Sequence, residues 1–77
     1  TPAVFRIRSL LQKIVRVTIS DGRIFIGSFA GTDQPLNILV TNTEEYPPGF
    51  GLERDSSGRY VGQVVIPWRL VKKVEVE

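Results

Sequence analysis

The stretch Val15-Arg16-Val17-Thr18-Ile19-Ser20-Asp21-Gly22-Arg23-Ile24-Phe25-Ile26-Gly27-Ser28-Phe29-Ala30-Gly31-Thr32-Asp33-Gln34-Pro35-Leu36-Asn37-Ile38-Leu39-Val40 decides the fold. Val15, Val17 and Ile19 alternate with Arg16, Thr18 and Ser20, the two-residue rhythm of a half-buried strand. Asp21-Gly22 then predicts a tight primed hairpin turn, because such a turn needs positive φ and glycine supplies it. A second strand follows to Gly31, with Phe25 and Phe29 on one face and Gly27 and Gly31 in the same register. Glycine weakens a strand unless the strand bends or another backbone comes close. Two of them at this spacing predict a sharply curved sheet, as in a small barrel. Thr32 to Pro35 reads as a turn, after which Leu36, Ile38 and Val40 resume the alternation.

Outward from this stretch, Thr1-Pro2 forms a fair N-cap and first-turn pair. Val4, Ile7, Leu11 and Ile14 recur at helical spacing, which predicts a helix over about 3–13. Its apolar face has two readings: it covers an open end of the core, or part of it, Phe5 first, docks a partner. Toward the C-terminus, residues 47–58 are rich in Pro, Gly, Ser and charge and read as a loop. Tyr60 to Ile66 alternates again, and both faces of its second half are apolar. Pro67-Trp68 interrupts the run before a last strand. The whole is a single 77-residue domain, a helix followed by strands at about 14–20, 23–31, 36–46, 59–66 and 69–76.

Composition narrows the chemistry. A chain of 77 residues buries only about 60% of the surface its unfolded form exposes, so small domains lean on disulfides, metals or partners. There is no cysteine and no histidine. That removes disulfides, zinc sites of the usual ligand types, and cysteine or histidine catalysis. A partner is the support that remains. Ten basic against eight acidic residues give a net charge of +2, too weak a field to imply nucleic acid by itself. No apolar stretch approaches the ~20 residues that cross a bilayer, and no leader peptide is expected. The absence of cysteine suits a reducing compartment.

The order of elements and the residues at their turns resemble the Sm and Sm-like (LSm) proteins. The resemblance is strongest over Val15 to Val40, the family's first motif, and continues in a shorter second motif over Val64 to Val74. It implies an all-β fold, a strongly bent five-stranded antiparallel barrel preceded by the helix. It also implies subunits that join edge to edge, the fourth strand of one against the fifth of its neighbour. The doubly apolar fourth strand agrees, since an exposed apolar edge invites pairing.

Many members of the family bind uridine-rich RNA with an Asp, a stacking residue and an Asn in the first motif, and an Arg-Gly pair in the second. Asp33 and Asn37 stand at the matching positions. The stacking position is Pro35, which has no π-face, so base stacking of about 1–3 kcal/mol per base is lost. Pro67-Trp68 replaces Arg-Gly, and Arg69 comes one residue too late. Asp33 and Asn37 then read either as RNA contacts or as Asx residues bonding the backbone of their own turn.

These departures resemble a particular branch, the Sm-like auxiliary subunit of the N-terminal acetyltransferase C complex, which carries Pro where RNA binders carry Arg. That resemblance implies a non-catalytic scaffold subunit, cytoplasmic and hetero-oligomeric. Its partners would be a catalytic subunit and a large helical auxiliary subunit, in a complex that acetylates nascent chains beginning with Met and a bulky apolar residue. No catalytic residue, cofactor site or metal site is expected in this chain, and neither RNA nor membrane as a partner. The expected partner-binding residues are Phe5, Val64, Val65, Ile66, Pro67, Trp68 and Leu70. Trp68 leads them, because Trp is enriched among interface hot spots; a barrel-end core position is its other reading. The alternative function is an RNA-binding subunit of a heteromeric ring, through Asp33 and Asn37.

Overall fold

In the computed structural model, which describes residues 11–48 and 58–76, the alternating segments form five antiparallel strands: β1 (Ile14–Ile19), β2 (Ile24–Thr32), β3 (Ile38–Tyr46), β4 (Arg59–Ile66) and β5 (Val71–Val76). They make one sheet in the order β4-β3-β2-β1-β5. The sheet curls around a single core. Val15, Val17, Ile19, Phe25, Phe29, Ile38, Val40 and Ile66 are buried there, with Val64, Leu70, Val71 and Val74 packed against them. Both edge strands, β4 and β5, therefore share the same core. Each fully buried side chain of this size contributes about 1.5–3 kcal/mol.

The curvature comes from backbone irregularities at the expected glycines. Ile26 pairs with Glu44 and Ser28 with Thr41, so the single residue Gly27 faces Asn42 and Thr43. Asn42 takes up the extra length at φ +50°, as Asn tolerates well. A Cβ on Gly27 would lie 2.6 Å from the Thr41 carbonyl oxygen and 2.7 Å from Val40 Cγ1. Only glycine lets the strands approach there. A second irregularity leaves Ala30 between the pairs Phe29–Val40 and Gly31–Leu39. A third flanks the pair Thr43–Gly62 on β4. Bulges of this kind bend a strand and increase its twist.

Several expectations are corrected at the element ends. The β1–β2 turn is one residue longer than a primed hairpin. The Gly22 N–H donates to the Ile19 carbonyl at 2.9 Å and the Ile19 N–H to the Arg23 carbonyl at 3.0 Å. Gly22 alone has positive φ, +95°. This is a three-residue loop with glycine in the left-handed position. The third strand starts at Ile38 rather than residue 36, because Leu36 sits at φ +65° and breaks the extended run. The fifth starts at Val71 rather than residue 69. Pro67 opens a 3₁₀ turn over Trp68–Leu70, closed by the Leu70 N–H on the Pro67 carbonyl at 2.9 Å.

Most of the expected helix over 3–13 lies outside the described residues. Its last turn is corrected. Gln12 has φ +67° and donates its N–H to the Phe29 carbonyl at 2.9 Å, while Lys13 accepts the Phe29 N–H at 2.9 Å. Residues 12–13 are thus already paired with β2. The helical spacing of Leu11 and Ile14 straddles a turn into β1.

Candidate partner-binding surface

The stretch Val64–Leu70 leaves the core at Ile66 and returns to it at Leu70. The β3–β4 register pairs Ile38 with Ile66, Leu39 with Val65 and Val40 with Val64. Ile38, Val40 and Ile66 are buried, so Val64 and Ile66 point inward and Val65 outward. The expected partner-binding residues accordingly divide. Ile66 is 3% exposed and Val64 and Leu70 pack against the core, so these three side chains hold the fold. Val65 is 49% exposed and Trp68 41%. Pro67 is half-buried between them. Trp68 belongs to no core cluster among the described residues, which favours the anchor reading over the barrel-end core. Phe5 lies outside the described residues. Within the described sheet, β4 pairs only with β3 and β5 only with β1, so each presents one unpaired edge.

Asp33 and Asn37 close their own loop. The Asn37 N–H donates to Asp33 Oδ1 at 2.9 Å and Asn37 Nδ2 to Asp33 Oδ2 at 3.1 Å. The Asp33 N–H donates to the Asn37 carbonyl at 3.2 Å and the Leu36 N–H to the Asp33 carbonyl at 2.9 Å. The Asx reading therefore accounts for both residues, while Asn37 Oδ1 accepts no hydrogen bond among the described residues. Pro35 is exposed beside them.

One cluster was not anticipated from the sequence. Glu45 accepts Arg59 Nη2 at 2.8 Å and Arg23 Nη1 at 2.9 Å. Arg23 in turn donates through Nε to Asp21 Oδ2 at 2.7 Å, and its backbone N–H reaches Asp21 Oδ1 at 2.9 Å. The Arg23 guanidinium also lies 5.7 Å from the centre of the Phe25 ring, within cation–π range. The Arg59 hydrogen bond, then that of Arg23, lowers the Glu45 pKa below its ordinary value. The hydrogen bond from the Arg23 backbone N–H, against desolvation, lowers that of Asp21. Hydrogen bonds to Glu45 and then Asp21 raise that of Arg23. The cluster borders a concavity lined by Arg23, Glu45, Pro47, Pro48 and Arg59. Its two guanidinium groups are matched by two carboxylates, an arrangement that fastens the elements carrying them. The register pairs Phe25 with Glu45 and Glu45 with Arg59, which places all four side chains at one end of the sheet. No sequence spacing signals this, because the bulge at Asn42 shifts the phase of β3.

Comparison with known proteins agrees with this architecture. The LSM domain family profile matches residues 6–69. The N-alpha-acetyltransferase 38, NatC auxiliary subunit, of Schizosaccharomyces pombe is 38% identical over 68 residues, covering 88% of this chain and 85% of the relative. The protein of the same name from Danio rerio is 29% identical over 72 residues, covering 94% of this chain and 66% of the relative. The chain thus spans 60 to 66% of the length of the animal relatives named here and from Drosophila melanogaster. Among solved structures, a chain in the NatC complex bound to CoA superposes with a TM-score of 0.73 at 28% identity, covering 91% of this chain and 82% of that one. The Pyrococcus abyssii Sm protein in complex with a uridine heptamer superposes at 0.75 with 26% identity, covering 95% and 94%.

Proposed function

Because the chain belongs to the LSM domain family, we propose that it is a non-catalytic auxiliary subunit of an N-terminal acetyltransferase C assembly. In that role it supports acetylation of nascent chains that start with Met and a bulky apolar residue, and its place of work is the cytoplasm. The observation that carries the reading is the surface at the β4–β5 junction. Pro67 and an exposed Trp68 stand where the RNA-binding members carry Arg-Gly, with an exposed Val65 beside them. The names of the relatives point the same way. The catalytic and large auxiliary subunits are the partners this surface serves. Residues 1–77 act as one domain, with Phe5 among its partner-binding residues.

The test is a pull-down of the large auxiliary subunit with Trp68→Ala and Val65→Asp variants. Loss of capture by either variant, with the fold retained, supports the reading. Unchanged capture by both refutes this surface. The RNA-binding reading retains one observation, the intact Asp33–Asn37 pair with an acceptor left on Asn37. Filter binding to oligo-uridine at two salt concentrations decides it. Uridine-preferring, salt-sensitive retention would favour RNA.

A further inference from the structure

The concavity beside the four-group cluster is built from flat faces. Its volume is about 280 Å³, just under the roughly 300–1,000 Å³ of pockets that enclose a whole small ligand. That is room for one large side chain. Pro47 and Pro48 line it and are exposed, and the Arg59 side chain is 75% exposed. Pro48 is seated against Gly22. The two guanidiniums are held by their edges. Arg23 gives Nε to Asp21 and Nη1 to Glu45, and Arg59 gives Nη2 to Glu45. Such bonds lie in the guanidinium plane and leave its faces bare, and a guanidinium face stacks on aromatic rings. Arg23 already lies 5.7 Å from the centre of the Phe25 ring. The charges of the cluster cancel, two cations against two carboxylates. Arg59 keeps Nε and Nη1 unused among the described residues.

We propose that this concavity receives one Trp or Tyr side chain of a partner subunit, its ring laid on the proline and guanidinium faces. Charge selects against other occupants. A phosphate or carboxylate would enter beside Glu45, whose side chain is only 14% exposed and whose charge both guanidiniums already answer. A Lys or Arg would meet Arg23 and Arg59. An aliphatic side chain fills the space but gains nothing from the guanidinium faces, which an aromatic ring attracts. Proline rings favour aromatic partners, as aromatic-lined grooves that take proline segments show. The residue that carries the ring also brings a backbone carbonyl, to which the spare Arg59 N–H groups donate. Because the carboxylates fix both guanidiniums before contact, little of their freedom is lost on binding. The site is separate from Val65. Arg59 opens β4 and Val65 lies six residues further along it, about 20 Å of extended strand. This inference rests on the reading of the chain as a subunit of a larger assembly and adds a second point of contact to it.

The experiment titrates the isotope-labelled full chain with N-acetyltryptophanamide. N-acetylleucinamide, uridine monophosphate and inorganic phosphate serve as comparisons. The NMR signals of the Gly22 amide and of the Arg23 and Arg59 Nε–H groups are followed. Expected is saturable binding of the tryptophan amide, with ring-current shifts at these groups, at least fivefold tighter than any comparison. Arg59→Lys keeps the charge without the flat face and should weaken it at least threefold. Pro47→Ala, a change at an exposed residue, should do the same with an unchanged melting temperature. In the chain reconstituted with the catalytic and large auxiliary subunits the probe should no longer bind, because the partner's ring fills the site. No saturable shift, equal binding of the leucine amide, or indifference to both substitutions overturns the aromatic site. Tighter binding of uridine monophosphate or phosphate overturns it in favour of an anion. Binding that emerges only in Phe50→Ala, at a residue outside the described ones, overturns the choice of a partner. Undiminished probe binding in the assembly does so too, while leaving the subunit reading intact. If no assembly forms, the subunit reading fails, and the titration of the isolated chain still decides the aromatic site.

Discussion

At the scale of single residues, the bend in β2 is written at Gly27. Its Cα faces the Thr41 carbonyl oxygen, the Val40 side chain and Thr43 Oγ1, all within 2.8 Å of where a Cβ would stand. One of these is backbone and two are on buried residues, so none can swing away cheaply. Gly27→Ala should cost about 1–3 kcal/mol, the usual range for overpacking a filled interior, read as a lowered urea midpoint with an unchanged slope. Thr43 makes the opposite case. Its side chain is fully buried and its Oγ1 has no hydrogen-bond partner. An unmet buried hydroxyl costs roughly 1–3 kcal/mol, and an apolar group of the same shape removes that cost. Thr43→Val should therefore leave stability unchanged or raise it by about 1 kcal/mol, seen as a higher melting temperature. Gly27 was legible in the sequence as a place of curvature. Thr43 was not, because its inward direction depends on the bulge at Asn42, and an Asn-Thr pair within a strand does not announce one.

At the scale of elements, the five strands were legible because their apolar residues alternate, and the bent antiparallel sheet followed from the resemblance. The boundaries were less so. Leu36 fits the alternation of β3 but has positive φ, and a leucine carries no signal for that conformation. Trp68 to Leu70 fits a strand's composition but follows Pro67 into a 3₁₀ turn. The candidate site divided for the same reason. Val65 and Trp68 are exposed, while Ile66 is turned inward by its pairing with Ile38, a fact of register. The four-group cluster Asp21–Arg23–Glu45–Arg59 joins the β1–β2 loop, the end of β3 and the start of β4. Its carboxylates have pKa values lowered in the folded state, so they stabilise the fold above their unfolded pKa, and the contribution is lost as pH falls through the lower folded values. Stability should therefore decline as pH drops below the ordinary carboxylate range, beginning near pH ~4–5. Glu45→Gln should be less stable than the wild type at neutral pH and show a shallower decline in acid, measured as melting temperature against pH.

At the scale of the whole molecule, the core and the proposed contact surface lie on different faces. The core side chains face inward from all five strands, and the exposed apolar ones belong to the outside and the edges. Val65→Asp should consequently leave the melting temperature of the isolated chain within a few degrees of the wild type, since surface substitutions away from the core usually change stability by within ~0.5 kcal/mol. The same change should abolish capture of the large auxiliary subunit. If the isolated variant unfolds instead, Val65 is a packing residue and the two faces are not separable. The ends of the segment that joins β3 to β4 are fastened to the barrel independently of what lies between them. Pro48 abuts Gly22, where an added Cβ would meet the proline Cβ at 3.1 Å, and the Tyr46 ring lies against Gly58. Glu45 ties Arg23 to Arg59 across the same gap. With both ends anchored, lengthening the segment costs only its closure entropy, about 0.6 kcal/mol for each doubling. The barrel is therefore a scaffold into which extra chain can be inserted between β3 and β4, so that proteins sharing this barrel can differ widely in length there while folding alike.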